Sequence, residues 1–193
     1  MPTEIDRDDK AYQVQVDDML ESVSCMIEKL DSAQIKSIAD LMVEADIVVG
    51  FGNGGSHVVA SHFAGDIMLR PGPLFIAIGD NIVSHTAYAN DYSFEESAAL
   101  EVKRINDAHI GKKKMLIVFS TSGESKNIMR AAKMAKELKW TVVAMLGRHL
   151  HRLEPYSDII VSVDGHRAGR IEVVHDAVCH ALAEIVPLMM EKA

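Results

Sequence analysis

The chain has 193 residues, 48% of them hydrophobic, and a formal net charge of −8. That length fits one domain with a sizeable core, and the acidic balance argues against a nucleic-acid surface, which needs clustered Lys and Arg. No apolar run approaches the roughly 18–20 residues that span a bilayer, and the acidic opening MPTEIDRDDK has no apolar signal region. The two cysteines, Cys25 and Cys179, form no metal or redox spacing, so a cytoplasmic protein without membrane attachment is expected.

From Tyr12 the apolar residues recur in steps of four and three, through Val16, Met19, Val23, Met26 and Leu30. This is a heptad seam on a long helix, widened by Val14, Leu20 and Ile27. An apolar surface broader than one neighbour needs predicts packing against another subunit. Ser32 is expected to cap a second helix through Ile35, Ile38, Leu41 and Met42. Residues 1–45 thus form a helical oligomerisation segment, and 46–193 an α/β core.

The core opens with an apolar strand, Ile47 to Phe51, that ends in Gly52, Asn53, Gly54, Gly55 and Ser56. Val58, Val59, Phe63, Ile67 and Met68 follow at helical spacing. Further strands are expected at Leu74–Ile78, Met115–Phe119, Thr141–Leu146 and Asp158–Val163. Helices are expected over Asn81–Tyr88, Phe94–Ile105, Ile128–Leu138 and Gly169–Met190, with a turn at Asn90-Asp91. Alternating strands and helices imply a five-stranded parallel sheet covered on both faces, a doubly wound three-layer sandwich. Ligands bind such sheets beyond the carboxyl ends of the strands.

Two loops lie at such strand ends. The glycine turn at 52–56 lets backbone N–H groups approach an anion at a helix N-terminus. Its glycines do not follow the dinucleotide order, and no P-loop Gly-Lys-Ser/Thr is present, so no nucleotide is expected. The second loop places Ser120, Thr121, Ser122 and Ser125 around Gly123 before a helix. Four hydroxyls exceed what one cap requires, and they suit a phosphate.

Two helices carry the acid/base groups. His62 and Asp66 share one helical face. Glu172, Asp176 and His180 form a stripe on the last helix, opposite Val174, Val178, Ala181, Leu182 and Ile185. Glu172 and His180, joined by His62 and Asp66, make a metal or proton-transfer group, with His175 and Asp176 as alternative contributors. Glu172 and His180 are about 12 Å apart along a helix. Unless both lean together, one metal ion would need Asp176 in place of one of them, or a ligand from another subunit.

GNGGSH (52–57), HFA (62–64), AND (89–91), STSGES (120–125) and RIEVVHDAVCH (170–180), in that order, resemble the sugar isomerase (SIS) fold. Within it they resemble the phosphoheptose isomerases. The resemblance implies aldose–ketose isomerisation of sedoheptulose 7-phosphate toward a heptose of lipopolysaccharide. It also implies a homotetramer with active sites at subunit interfaces and one Zn2+ per subunit. By position, Asn53, Gly54, Gly55, Ser56, Asp91, Ser120, Thr121, Ser122, Ser125 and Glu172 take the substrate-binding roles. His62, Asp66, Glu172 and His180 take the metal, and Asp66 and His180 the acid/base roles. Asp66 is one methylene shorter than the family's Glu, and Glu172 stands for its Gln. The alternative is a non-catalytic SIS protein that binds a sugar phosphate or regulates replication initiation.

Overall fold

The structure, a computed structural model of the chain, describes residues 9–147 and 152–191; the acidic stretch 1–8 lies outside them. Five strands form one parallel sheet: β1 (Ile47–Gly52), β2 (Leu74–Ala77), β3 (Lys114–Ser120), β4 (Thr141–Leu146) and β5 (Ile159–Ser162), in the order β2-β1-β3-β4-β5. Gly50 of β1 pairs with Ala77 of β2 on one side and with Ile117 of β3 on the other. The chain leaves β1 outward to β2, then returns past β1 to β3. That reversal opens a crevice between the carboxyl ends of β1 and β3.

Strand side chains alternate between two buried faces. Val48, Met115, Ile117, Phe119, Val143 and Met145 point to one core, where they meet α2 (Ser32–Glu44), α3 (Gly55–Met68) and α7 (Ala168–Met190). Val49, Phe51, Leu116, Val118, Val142, Ala144 and Leu146 point to the other, beneath α5 (Phe94–Ala108) and α6 (Lys126–Glu137). Because both faces are covered, the strands read as unbroken apolar runs rather than alternating ones.

Three features differ from expectation for local reasons. Asp31, not Ser32, caps α2: its backbone is extended and its carboxylate accepts the Ala33 N–H. The helix α4 (Ile82–Asp91) is capped by Asn81, which accepts from Ser84 N–H, and continues through Asn90 and Asp91 to its last turn. The helix α7 is long and apolar enough to cross a membrane by length and composition alone. Charged residues interrupt it too often for a run-by-run reading to notice. Its apolar residues, among them Ile171, Val174, Val178, Leu182 and Val186, are buried within the fold, as in a core helix.

The first helix, α1 (Asp9–Glu28), is divided along its length. Val23, Met26 and Leu30 just beyond its end pack against Val163 after β5 and Ile171 and Val174 at the start of α7, and Asp18 pairs with Arg170. Tyr12, Val14, Val16, Met19 and Leu20 stay exposed.

Candidate active site

The β1–α3 connection is tight because β1 ends against the helix it feeds. A Cβ at Gly52 would lie 2.6 Å from the Ser56 backbone, closer than any side chain tolerates. Ser56 is thereby buried in the first turn of α3. The same turn receives a carboxylate from α7, since a Cβ at Gly55 would overlap the Glu172 side chain. Glu172 therefore sits at the N-terminal end of α3, where the helix dipole favours negative charge.

Across the crevice, the β3–α6 loop organises its own hydroxyls. Ser120 is buried, and its oxygen accepts the Gly123 N–H at 2.9 Å; Ser122 accepts the Glu124 N–H at 3.2 Å. Both hydroxyls use an acceptor lone pair internally and retain a hydrogen to donate. Ser125 stands at the N-cap of α6 yet makes no side-chain cap bond. Among the described residues its hydroxyl has no hydrogen-bond partner, at a helix end that offers unsatisfied N–H groups.

The two loops are tied together by a pair the sequence reading missed. Asn53 donates to Asn127 Oδ1 at 3.0 Å, and Asn127 donates back to Asn53 Oδ1 at 2.8 Å. Asn127 Oδ1 also accepts the Ile128 N–H, which holds the amide at the start of α6. Asn127 is almost fully buried, so this ring fixes the crevice width. Its position just after the serine loop was the available signal, but nothing separated it from an ordinary first-turn residue.

Behind the crevice, α3 and α7 pack side by side on the same sheet face and run in the same direction. One turn of each supplies a His and an Asp. His62 Nδ1 lies 3.3 Å from Asp176 Oδ1, and His180 Nδ1 lies 3.1 Å from Asp66 Oδ2. Two longer edges close the square: His180 Nε2 to Asp176 Oδ2 at 3.5 Å, and His62 Nε2 to Asp66 Oδ2 at 4.0 Å. The two imidazoles meet edge to face at 5.0 Å between centroids. The group is half open to solvent, with the histidines about 50% exposed and Asp66 25%.

The four residues expected to form one metal and acid/base group thus divide three to one. His62, Asp66 and His180 come together, and Asp176, an alternative contributor, completes the group. Glu172 points instead to the head of α3. Asp91 ends α4 in an exposed position, where it accepts from its neighbour Asn90; no hydrogen bond or ion pair joins it to either loop among the described residues. His175 faces the sheet, fully buried beside Phe119 and without a well-formed hydrogen bond at either ring nitrogen. Burial pushes its pKa down to about 4, only weakly opposed by the Leu146 backbone, so it is a neutral core residue. Cys179 is buried near Asp66 and Asp176, and burial raises its thiol well above the ordinary range.

A switch-point crevice bounded by an anion-friendly glycine turn and a hydroxyl-rich loop, with acid/base groups behind it, defines a sugar isomerase (SIS) domain. Residues 11–147 match the SIS domain family model. The chain belongs to the phosphoheptose isomerase family of these proteins. It is 34% identical over 140 residues to the phosphoheptose isomerase of Helicobacter pylori, covering 70% of this chain and 71% of that one. It is 38% identical over 140 residues to the phosphoheptose isomerase of Mycobacterium tuberculosis, covering 70% and 69%. The solved phosphoheptose isomerase of Francisella tularensis superposes with a TM-score of 0.81 at 26% identity, over 92% of this chain and 96% of that chain.

Proposed function

We propose that the protein is a phosphosugar isomerase that converts sedoheptulose 7-phosphate to the aldoheptose 7-phosphate, a precursor step toward the heptose of lipopolysaccharide. The observation that carries this reading is the close approach of Asp66 Oδ2 to His180 Nδ1, 3.1 Å apart, set behind the hydroxyl-rich crevice. Isomerisation through an enediol needs a base to take the proton beside the carbonyl and an acid to protonate its oxygen. Asp66 takes the carbon-bound proton as His180 protonates the carbonyl oxygen; as the enediol collapses, Asp66 returns a proton to the former carbonyl carbon and His180 takes the proton of the neighbouring hydroxyl, which becomes the new carbonyl. Ser56, Ser120, Thr121, Ser122 and Ser125, with the glycine-turn backbone at Gly54 and Gly55, hold the phosphate through neutral donors. Asn53 and Asp91 contact sugar hydroxyls, and Glu172 orients the end near α3. The mixed N/O donor set suits Zn2+, which when bound would polarise the substrate oxygens.

The assembly in this reading is a cytoplasmic homotetramer. The exposed stripe of Tyr12, Val16, Met19 and Leu20 supports it, because such a stripe is buried in a helix bundle at lower cost than it is hydrated. Val16→Asp with Leu20→Asp would place unpaired charge in that bundle, and light scattering should show smaller particles. An unchanged mass would refute the bundle.

Activity is tested by turnover of a panel of five- to seven-carbon ketose phosphates, with and without added Zn2+. The seven-carbon substrate should be turned over fastest. Failure to turn over any of them would contradict the reading.

A further inference from the structure

The helix α4 carries Asp91 in its last turn but has almost no apolar grip on the fold. None of its residues is buried, its aliphatic residues Ile82 and Val83 face solvent, and it packs mainly on α5. A surface helix is ordinarily held by an apolar stripe on its inner face. Here the inner position belongs to His85, whose Nδ1 lies 2.7 Å from Oε1 of Glu101 on α5, with the two side chains only 14% and 13% exposed. We propose that His85 and Glu101 are positioning residues: their hydrogen bond holds α4 where Asp91 meets the sugar, and neither touches the substrate. This rests on the phosphosugar reading of the crevice and adds two residues that lie outside it.

The pair sits between the helix and the crevice. The His85 ring is 6.3 Å from the Phe51 ring and 6.3 Å, edge to face, from the Phe94 ring. Phe51 immediately precedes Gly52, so the imidazole abuts the stem of the glycine turn as well as α5. Among the described residues, the other side-chain hydrogen bonds of α4 stay within the helix or join it to its cap, Asn81. The turn before the helix is fastened separately: Asp80 accepts from Ser61 Oγ at 3.0 Å and lies 3.2 Å from His57 Nε2, both on α3. The start of α4 is thus tied to α3 and its middle to α5 and β1. Asp91 lies about 9 Å further along the axis, so its place follows from that middle attachment.

A polar pair does here what an apolar contact would not. Burial raises the Glu101 carboxyl above its ordinary range, opposed by His85 and, at the last, by His57. A carboxylate so placed is costly without its partner, so any displacement of α4 that parts the two is penalised. Apolar burial is non-directional and tolerates sliding, whereas a short hydrogen bond also fixes the rotation and register of the helix.

The test combines steady-state kinetics with calorimetric binding of two unreactive probes to the full chain: a heptitol 7-phosphate, the alcohol of the proposed substrate, and inorganic phosphate. His85→Ala, and the space-filling double variant His85→Leu with Glu101→Leu, should raise KM for sedoheptulose 7-phosphate and Kd for the heptitol phosphate by roughly tenfold. In both, kcat should change by less than about threefold and inorganic phosphate should bind as in the parent. Glu101→Gln keeps an acceptor for Nδ1 and should stay within about threefold of the parent. The double variant leaves no unpaired charge, so its urea midpoint should match or exceed the parent's while its KM stays high, a split that a merely structural pair would not give. The proposal is overturned if the double variant has the parent's KM, if kcat falls and KM does not, if Glu101→Gln raises KM as much as the double variant, or if inorganic phosphate is lost along with the heptitol phosphate. A parent that isomerises nothing, yet loses heptitol phosphate affinity on His85→Ala, overturns the isomerase reading and leaves the positioning role standing. Turnover at the parent's KM in every His85 and Glu101 variant does the reverse, and a parent that binds no heptitol phosphate overturns both.

Discussion

The sheet carries a pair of adjacent helices on each face, and both pairs bring carboxylates together. Between α5 and α6, Glu95 meets Lys126 at 3.0 Å and Arg130 at 3.1 Å, and Glu96 meets Arg130. Lys126 and Arg130 hold the Glu95 carboxyl below its ordinary range. Every negative charge there has a permanent positive partner, and nothing remains for a ligand to do. Between α3 and α7, the ion-pair partners of Asp66 and Asp176 among the described residues are imidazoles, whose charge depends on pH. The same doubly wound frame thus holds one charge cluster that is complete and one whose charge balance varies with protonation.

The largest expected effect separates these two clusters. Asp66→Asn and His180→Ala should each lower kcat by roughly 10²–10⁴-fold, the range for losing a general acid or base. Glu95→Gln with Glu96→Gln should leave kcat unchanged and stability nearly so, since exposed ion pairs contribute little. Steady-state kinetics at saturating metal checks both arms.

A smaller effect contrasts two histidines on one helix. His175, buried and neutral with a pKa near 4, takes up no proton in the folded state where the unfolded chain, at about 6.5, does. The unfolded state binds more protons between those values, so stability falls as pH drops through 6.5 and levels off below about 4. The whole shift corresponds to ~3 kcal/mol. Urea midpoints measured from pH 7 to pH 4 should show this loss in the parent and less of it in His175→Leu. Equal slopes would mean that His175 is not held neutral.

The smallest effect concerns the loop across the crevice. Ser125→Ala removes a hydroxyl that makes no cap bond, so it should raise KM for a phosphosugar by about 1 kcal/mol, or roughly fivefold, without changing the urea midpoint. A stability change with an unaltered KM would make Ser125 a structural cap.

Much of this was legible in the chain because it depends on local order. The strand–glycine–helix unit at 47–68, the serine loop, and the shared face of His62 and Asp66 follow from periodicity within a single element. What stayed hidden depends on how elements lie against each other. Glu172, Asp176 and His180 are equivalent along one stripe until α7 is laid beside α3, and that alignment opposes Asp176 to His62 and Glu172 to Gly55. His175 is adjacent to Asp176 in sequence, yet the helix turns it into the core. Asn127 takes its role from a partner 74 residues away. The heptad seam of α1 read as continuous, but α7 meets only its second half, where Val23 and Met26 pack against Ile171 and Val174.

In the proposed reaction Asp66 takes a proton from the carbon beside the carbonyl, and isomerisation in D2O reads that step directly. Asp66 is 25% exposed, so a proton it accepts exchanges with solvent. With sedoheptulose 7-phosphate, nuclear magnetic resonance should show deuterium entering the aldose at the carbon next to its carbonyl, and Asp66→Asn should slow that entry in step with turnover. Isomerisation in which the product keeps all its protium, or deuterium entry that is equally fast in Asp66→Asn, would contradict it.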